Sequence, residues 1–133
     1  MPHMKPRMKN EQGQTMTEFA LVLPILIVLL FGIIQFGIAF NNYVTLTDAV
    51  RAGARKAAVS RNLSDPAGAC KAAVLAAADN LDKTDLSTNL SCSSTWAPAS
   101  DVTVTADYKY DINLLGWVVW SGRMKSEMKE RVE

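Results

Sequence analysis

Between Ala20 and Phe40 the chain runs for 21 residues without a charged side chain. At about 1.5 Å of rise per residue, a helix of that length reaches roughly 31 Å, the thickness of a bilayer's hydrocarbon core. The run is too long and too uniformly apolar to be the core helix of a domain drawn from 133 residues. It therefore predicts a membrane span and leaves room for one small domain beside it.

The flanks of the run refine this reading. Residues 1–13 are polar and basic, with two prolines and no apolar periodicity, and predict a cytoplasmic leader without structure of its own. Met4 or Met8 serves as a start as well as Met1. Positive charge is nearly balanced across the span: Lys5, Arg7 and Lys9 precede it, and Arg51, Arg55 and Lys56 follow. The distance of the second group from the span, with Asp48 among it, favours the leader inside and residues 61–133 outside. A secretory signal peptide is the rival for this segment. It needs an apolar core of about 7–15 residues and a small-x-small site, whereas Gly37-Ile38-Ala39 is followed by Phe40.

Inside the run, Pro24 removes the amide that would bond the carbonyl of Ala20 and predicts a kink. Gly32 and Gly37 are five apart, so they do not form the Gly-x-x-x-Gly packing motif, but each follows a phenylalanine and can let a neighbour approach. Gln35 is the strongly polar side chain deep in the run. It either hydrogen-bonds a neighbouring helix, worth about 0.5–2 kcal/mol, or is simply tolerated near the interface.

Beyond the membrane the helix continues to about residue 60. Leu46, Ala49, Val50, Gly53, Ala54, Ala57 and Ala58 recur at spacings of three and four, with Arg51 and Arg55 on the opposite face. Such a stripe requires something laid against it. Asp65-Pro66 is a good helix start, and a second, alanine-rich helix is expected over 66–81, with Cys70, Ala73, Val74, Ala77 and Leu81 on one face. Residues 82–100 read as a polar, turn-rich loop. Asp101–Tyr110 alternates as a half-buried strand, and Gly122–Val132 alternates as its antiparallel partner, with Met124, Met128 and Val132 inward; a helix with Glu127 paired to Arg131 is the competitor, but period two fits better. Between them Leu114–Trp120 is strongly apolar, and burial as a flap over the core is expected rather than an exposed patch. The fold class is α+β: a long transmembrane and amphipathic helix packed against a small domain with a second helix and a two-stranded or slightly larger antiparallel sheet. The division is a leader (1–13), the long helix (14–60, span 20–40) and the small domain (61–133).

Two cysteines, Cys70 and Cys92, both follow the span. They fit a disulfide in an oxidising compartment, the alternative being two free thiols in the core. A bond would close about 23 residues and stabilise by roughly 3 kcal/mol in the chain-entropy model.

Several function classes are disfavoured. Of 14 basic and 13 acidic side chains, the leader holds Lys5, Arg7, Lys9 and Glu11, leaving 11 and 12, a net charge of −1. No basic cluster is interleaved with aromatics, so no nucleic-acid partner is implied. The single histidine, His3, lies in the leader. The 22-residue separation of the cysteines is no redox or zinc spacing, and no phosphate-binding glycine loop is present. No catalytic residue, metal or cofactor is expected, and the chain does not read as an enzyme.

What remains is Gly13-Gln14-Thr15-Met16-Thr17-Glu18, directly before the span. A glycine, a short polar step, a lone glutamate and a membrane-length helix make up a class III, type IV pilin-like signal. The segment GQTMTEFALVLPILIVLLFGIIQFG and the following DAVRAGARKAAV resemble the TadE-like pseudopilins of tight-adherence (Flp-type) pilus systems. The closing RMKSEMKERVE is more loosely similar to the family's last strand. The resemblance implies cleavage between Gly13 and Gln14 by a prepilin peptidase, and Glu18 as the fifth residue of the processed chain. It also implies residence in the bacterial inner membrane, with other pilins, an assembly platform and an assembly ATPase as partners. On this reading the chain is a minor pilin, the major Flp-type subunits being typically much shorter. A carboxylate drawn towards lipid is costly, about 2–3.5 kcal/mol near mid-span and less at the edge. The Gln14 ammonium of a neighbouring subunit would offset that cost and set the register of packed helices. A competing local account makes Thr15-x-x-Glu18 a capping box. A competing functional account is an unprocessed, single-span protein whose outer domain binds a partner.

Overall fold

A computed structural model describes residues 9–133 of the chain. Helix α1 (Lys9–Ala58) is followed by α2 (Pro66–Ala77), α3 (Lys83–Thr88), and strands β1 (Leu90–Ser93), β2 (Asp101–Leu114) and β3 (Trp117–Arg131). The strands form one antiparallel sheet in the order β1-β2-β3. The architecture is α+β, with a three-stranded sheet rather than a two-stranded one.

The upper third of α1 is one wall of the core. Leu46, Ala49, Val50, Ala54 and Ala57 are fully or almost fully buried, as the three-four spacing of apolar residues requires. Against them lie Cys70 and Val74 of α2 and the inward row of β2, Val102, Val104 and Ala106. Both faces of the wall are thus covered, one by a thin alanine-rich helix and the other by the sheet. Val132 closes the base, and the amide of Glu133 donates to the carbonyl of Ala58 (3.0 Å), tying the end of the chain to the end of α1.

Caps explain where the shorter helices begin. The Asp65 carboxylate accepts from the Gly68 amide (3.0 Å) with Pro66 in the first turn, and Asp82 accepts from the Thr84 amide (2.9 Å). Each satisfies a donor that has no partner inside the helix. Helix α2 ends at Ala77, four residues before the expected stop at Leu81; Leu81 is nevertheless buried.

Residues 82–100 are not the expected loop. Within them α3 buries Leu86, and β1 buries Leu90 and Cys92 while Ser91 and Ser93 face out. Strand β1 pairs with Thr103–Ala106. Asp85 holds α3 to the sheet: its Oδ2 accepts from the Lys109 amide (3.0 Å) and lies 3.6 Å from Arg123. The amide of Asp82 donates to the Tyr108 hydroxyl (2.9 Å).

The apolar 114–120 segment is the second departure. The β2–β3 ladder runs on to Leu114–Trp117, and Leu115 and Gly116 make a two-residue turn with φ of 51° and 91°. Positive φ at both positions marks a type I′ hairpin turn. Leu115, Trp117, Val118, Val119 and Trp120 are exposed instead of folding back as a flap. A strand ladder that stays paired carries its end away from the core, which the apolar character of the segment alone did not reveal.

The third departure lies at the start. Of the stretch expected to lack structure, Lys9–Gly13 are helical and continuous with the span, while residues 1–8 fall outside the described part. After Pro6 no helix breaker other than Gly13 intervenes, and lysine, glutamate and glutamine are good helix formers. At the other end α1 stops at Ala58, and Ser60 caps the exit by donating its hydroxyl to the Lys56 carbonyl.

Candidate functional site: the exposed N-terminal helix

From Glu11 to Leu30 every residue of α1 is exposed, and its most apolar 18-residue window has no residue buried in the fold. The core helix of a soluble protein would be covered. Helix α1 is long and apolar enough to cross a membrane, and the fold leaves it bare at that place.

At the start of this bare segment the predicted signal residues lie one turn apart on one side of the helix. Gln14 donates its side-chain amide to Glu18 Oε1 (3.2 Å), so the two side chains share a face. The hydroxyl of Thr17 donates to the Gly13 carbonyl (2.9 Å), and that of Thr15 to the Glu11 carbonyl (2.9 Å). Thr15 therefore sits inside the helix, not at its mouth, and the capping box is not formed in this chain. Nothing lies within 4 Å of the place a Cβ on Gly13 would take. The backbone at Gly13–Gln14 is open to solvent on its glycine side.

Pro24 lies inside α1, which is continuous through it. Proline has no amide hydrogen, so the Ala20 carbonyl lacks its usual donor. Gly32 and Gly37 have empty space at their Cβ positions, and Gln35 is half-buried. These four residues are not brought together by the fold. They are distributed along the apolar segment of α1.

In the outer domain Cys70 and Cys92 form a disulfide joining α2 to β1, with Cα atoms 6.4 Å apart. Among the described residues no group of three or more His, Cys, Asp or Glu side chains is placed to hold a metal ion. The acidic residues Asp82, Asp85 and Asp111 border a shallow depression with Tyr108 and Lys109. Their oxygens are largely engaged in the cap, the sheet contacts and the ion pairs with Arg123 and Lys109.

Sequence reasoning missed the hairpin's approach to the helix. Tyr110, Ile112, Arg123 and Met124 line a groove together with Phe36, Ala39 and Phe40. The inward alternation of β2 was the available signal, since it continues through Tyr110 to Ile112 beyond the expected strand end.

Comparison with known families places a match on the same segment. Residues 13–55 match the family model described as TadE-like protein. The match begins at Gly13, takes in Glu18 and the whole apolar run, and ends in the packed stripe of α1. No curated protein and no solved structure matches the chain.

Proposed function

We propose that this chain is a pseudopilin, a minor subunit of a tight-adherence (Flp-type) pilus, that acts by helix packing and not by catalysis. A prepilin peptidase cleaves between Gly13 and Gln14 at the cytoplasmic face of the inner membrane. The span over Ala20–Phe40 holds the processed chain there until it joins other pilins on an assembly platform driven by an ATPase, with the disulfide-bonded domain outside. The reading rests above all on one coincidence: the TadE-like match starts at the glycine that precedes a lone glutamate and a bare, membrane-length helix.

The local chemistry supports each step. Peptidases bind extended substrate, so the helix must open around Gly13. Glycine weakens a helix by about 1 kcal/mol relative to alanine, which eases opening at Gly13. Cleavage would turn the Gln14 amide nitrogen into an ammonium group. Glu18, one turn higher on the face of Gln14, then carries the opposite charge at the membrane edge. Staggered helices can pair the ammonium of one subunit with the glutamate of the next, which neutralises both in a medium where isolated charge is costly.

Continuity of α1 through Gly13 favours a second reading, an unprocessed membrane-anchored binding protein. Edman sequencing or intact mass of the protein extracted from its own host separates the two. A mature chain beginning at Gln14 is expected. A chain that retains Gly13 in cells holding the peptidase would overturn the proposal.

A further inference from the structure

The β2–β3 hairpin changes character past Asp111. Leu115, Trp117, Val118, Val119 and Trp120 are each at least 60% exposed, and Trp117 is 82% exposed. Successive strand residues point to opposite faces, so Trp117 and Val118 make both faces of the ribbon apolar, and Val119, the extra residue of a bulge opposite Ile112 and Asn113, adds another exposed apolar side chain. A protein surface laid on one face would leave the other in water. A lipid medium covers both.

The turn points the same way. Leu115 holds a left-handed backbone with φ of 51°, a position that favours asparagine, aspartate or glycine. A large apolar residue here breaks the local rule, and such departures gather where a residue serves function.

The tip is also at membrane level. Ala58 is bonded to Glu133, just past the open end of the hairpin, where Asp101 pairs with Arg131. Further down, Tyr110, Ile112, Arg123 and Met124 meet Phe36, Ala39 and Phe40, the last turn of the apolar run. The hairpin thus descends along α1 towards the span. Beyond Ile112 the strand has only Asn113 and Leu114 before the turn, so the tip ends within about 7 Å of that level.

Two features limit its depth. Asp111, paired with Lys109 at 3.6 Å, stands opposite Ser121 just above the apolar tip. Strand β1 covers only Thr103–Ala106, so β2 and β3 each keep an unpaired edge near the tip. Hydrocarbon does not accept open strand edges, whereas tryptophan and tyrosine concentrate at the headgroup boundary.

We infer that the Leu114–Trp120 tip is a second membrane contact of this chain. It enters the headgroup boundary of the leaflet at the Phe40 end of the span, with Trp117 and Trp120 as its anchors. The inference rests on the span proposed above, but on neither cleavage nor pilus assembly.

The test uses the full chain in vesicles of phosphatidylethanolamine and phosphatidylglycerol, with or without bromine atoms placed high on the acyl chains. Three variants isolate one tryptophan each: W96F/W120F, W96F/W117F and W117F/W120F. Trp117 and Trp120 should be quenched by the brominated lipid several-fold more strongly than Trp96, which packs against the protein core, and should resist aqueous acrylamide. Tip tryptophans open to acrylamide and indifferent to bromine would overturn the inference. So would protection from both quenchers that disappears on dilution into excess lipid, because a second copy would then be the cover. Alkaline extraction of the same vesicles reads the span separately. Protein that stays with the lipid while its tip is unquenched removes only the hairpin contact; protein released by alkali removes the span as well.

Discussion

Gly53 of α1 and Val74 of α2 meet where no side chain fits between the helices. A Cβ on Gly53 would overlap Cγ2 of Val74 and lie 3.3 Å from the carbonyl oxygen of Cys70. The two helices cross at this glycine, and the crossing brings Cys70 to the position from which it reaches Cys92.

Replacing Gly53 with alanine should therefore destabilise the outer domain by about 1–3 kcal/mol, the usual cost of overpacking. Chemical denaturation of the full chain in detergent, followed by circular dichroism, measures it. The G53A/V74A pair should lose less than the sum of the single variants, because the second change removes the clashing methyls. Strict additivity would mean that the two side chains do not compete for the same space.

The disulfide makes a separate prediction. Replacing both cysteines, as C70S/C92S, should lower stability by roughly 3 kcal/mol through the unfolded chain's added freedom. Thiol labelling of the denatured, unreduced protein should find neither cysteine. Labelling without prior reduction would show that the bond does not form in the host.

How much of this was legible in sequence depends on the length of the signal. The α1 stripe from Leu46 to Ala58 repeats for more than three turns, and the inward row Val102-Val104-Ala106 repeats against polar neighbours; both are buried as read. Strand β1 offers only Leu90 and Cys92 in alternation, and α3 only Leu86. One or two apolar residues in a polar stretch do not distinguish a short element from a loop. The hairpin tip failed for another reason: apolar character says that a side chain avoids water, but not what covers it. At the candidate site, Gly13, Glu18 and the span are visible as a linear pattern. The helix running through Gly13 is not, because Lys9–Gly13 carry no apolar periodicity.

Glu18 can be tested without disturbing processing. Glu18→Ala should leave cleavage after Gly13 largely intact and reduce incorporation into pili about tenfold, if pairing contributes near 1.4 kcal/mol at each packed interface. The ratio of processed protein in sheared pili to that in membranes gives the answer. Unchanged incorporation would rule out the register role.

Leu115 lets local stability be set against surface chemistry. Leu115→Asn suits the type I′ turn and should raise domain stability in detergent by about 0.5–1 kcal/mol. Thermal unfolding of the two proteins side by side measures it, and a lower midpoint for the variant would contradict the turn assignment.

The hydroxyl of Thr47 is buried without a hydrogen-bond partner. Thr47→Val keeps the shape and removes the unsatisfied group, so it should be neutral or stabilising by up to about 1 kcal/mol. Denaturant titration can check this; a marked loss would show that the hydroxyl finds a partner in the membrane-bound protein.

Helix α1 is unbroken from Lys9 to Ala58, and the small domain is fastened to its upper end on two sides. The chain is in this sense a flag on a stiff pole. One residue inserted below the domain's contacts, between Ile25 and Leu30, would turn the flag by about 100° and lift it by about 1.5 Å. Whatever grips the foot of the pole therefore also aims the lobe at its head, with no linker in between to absorb an error.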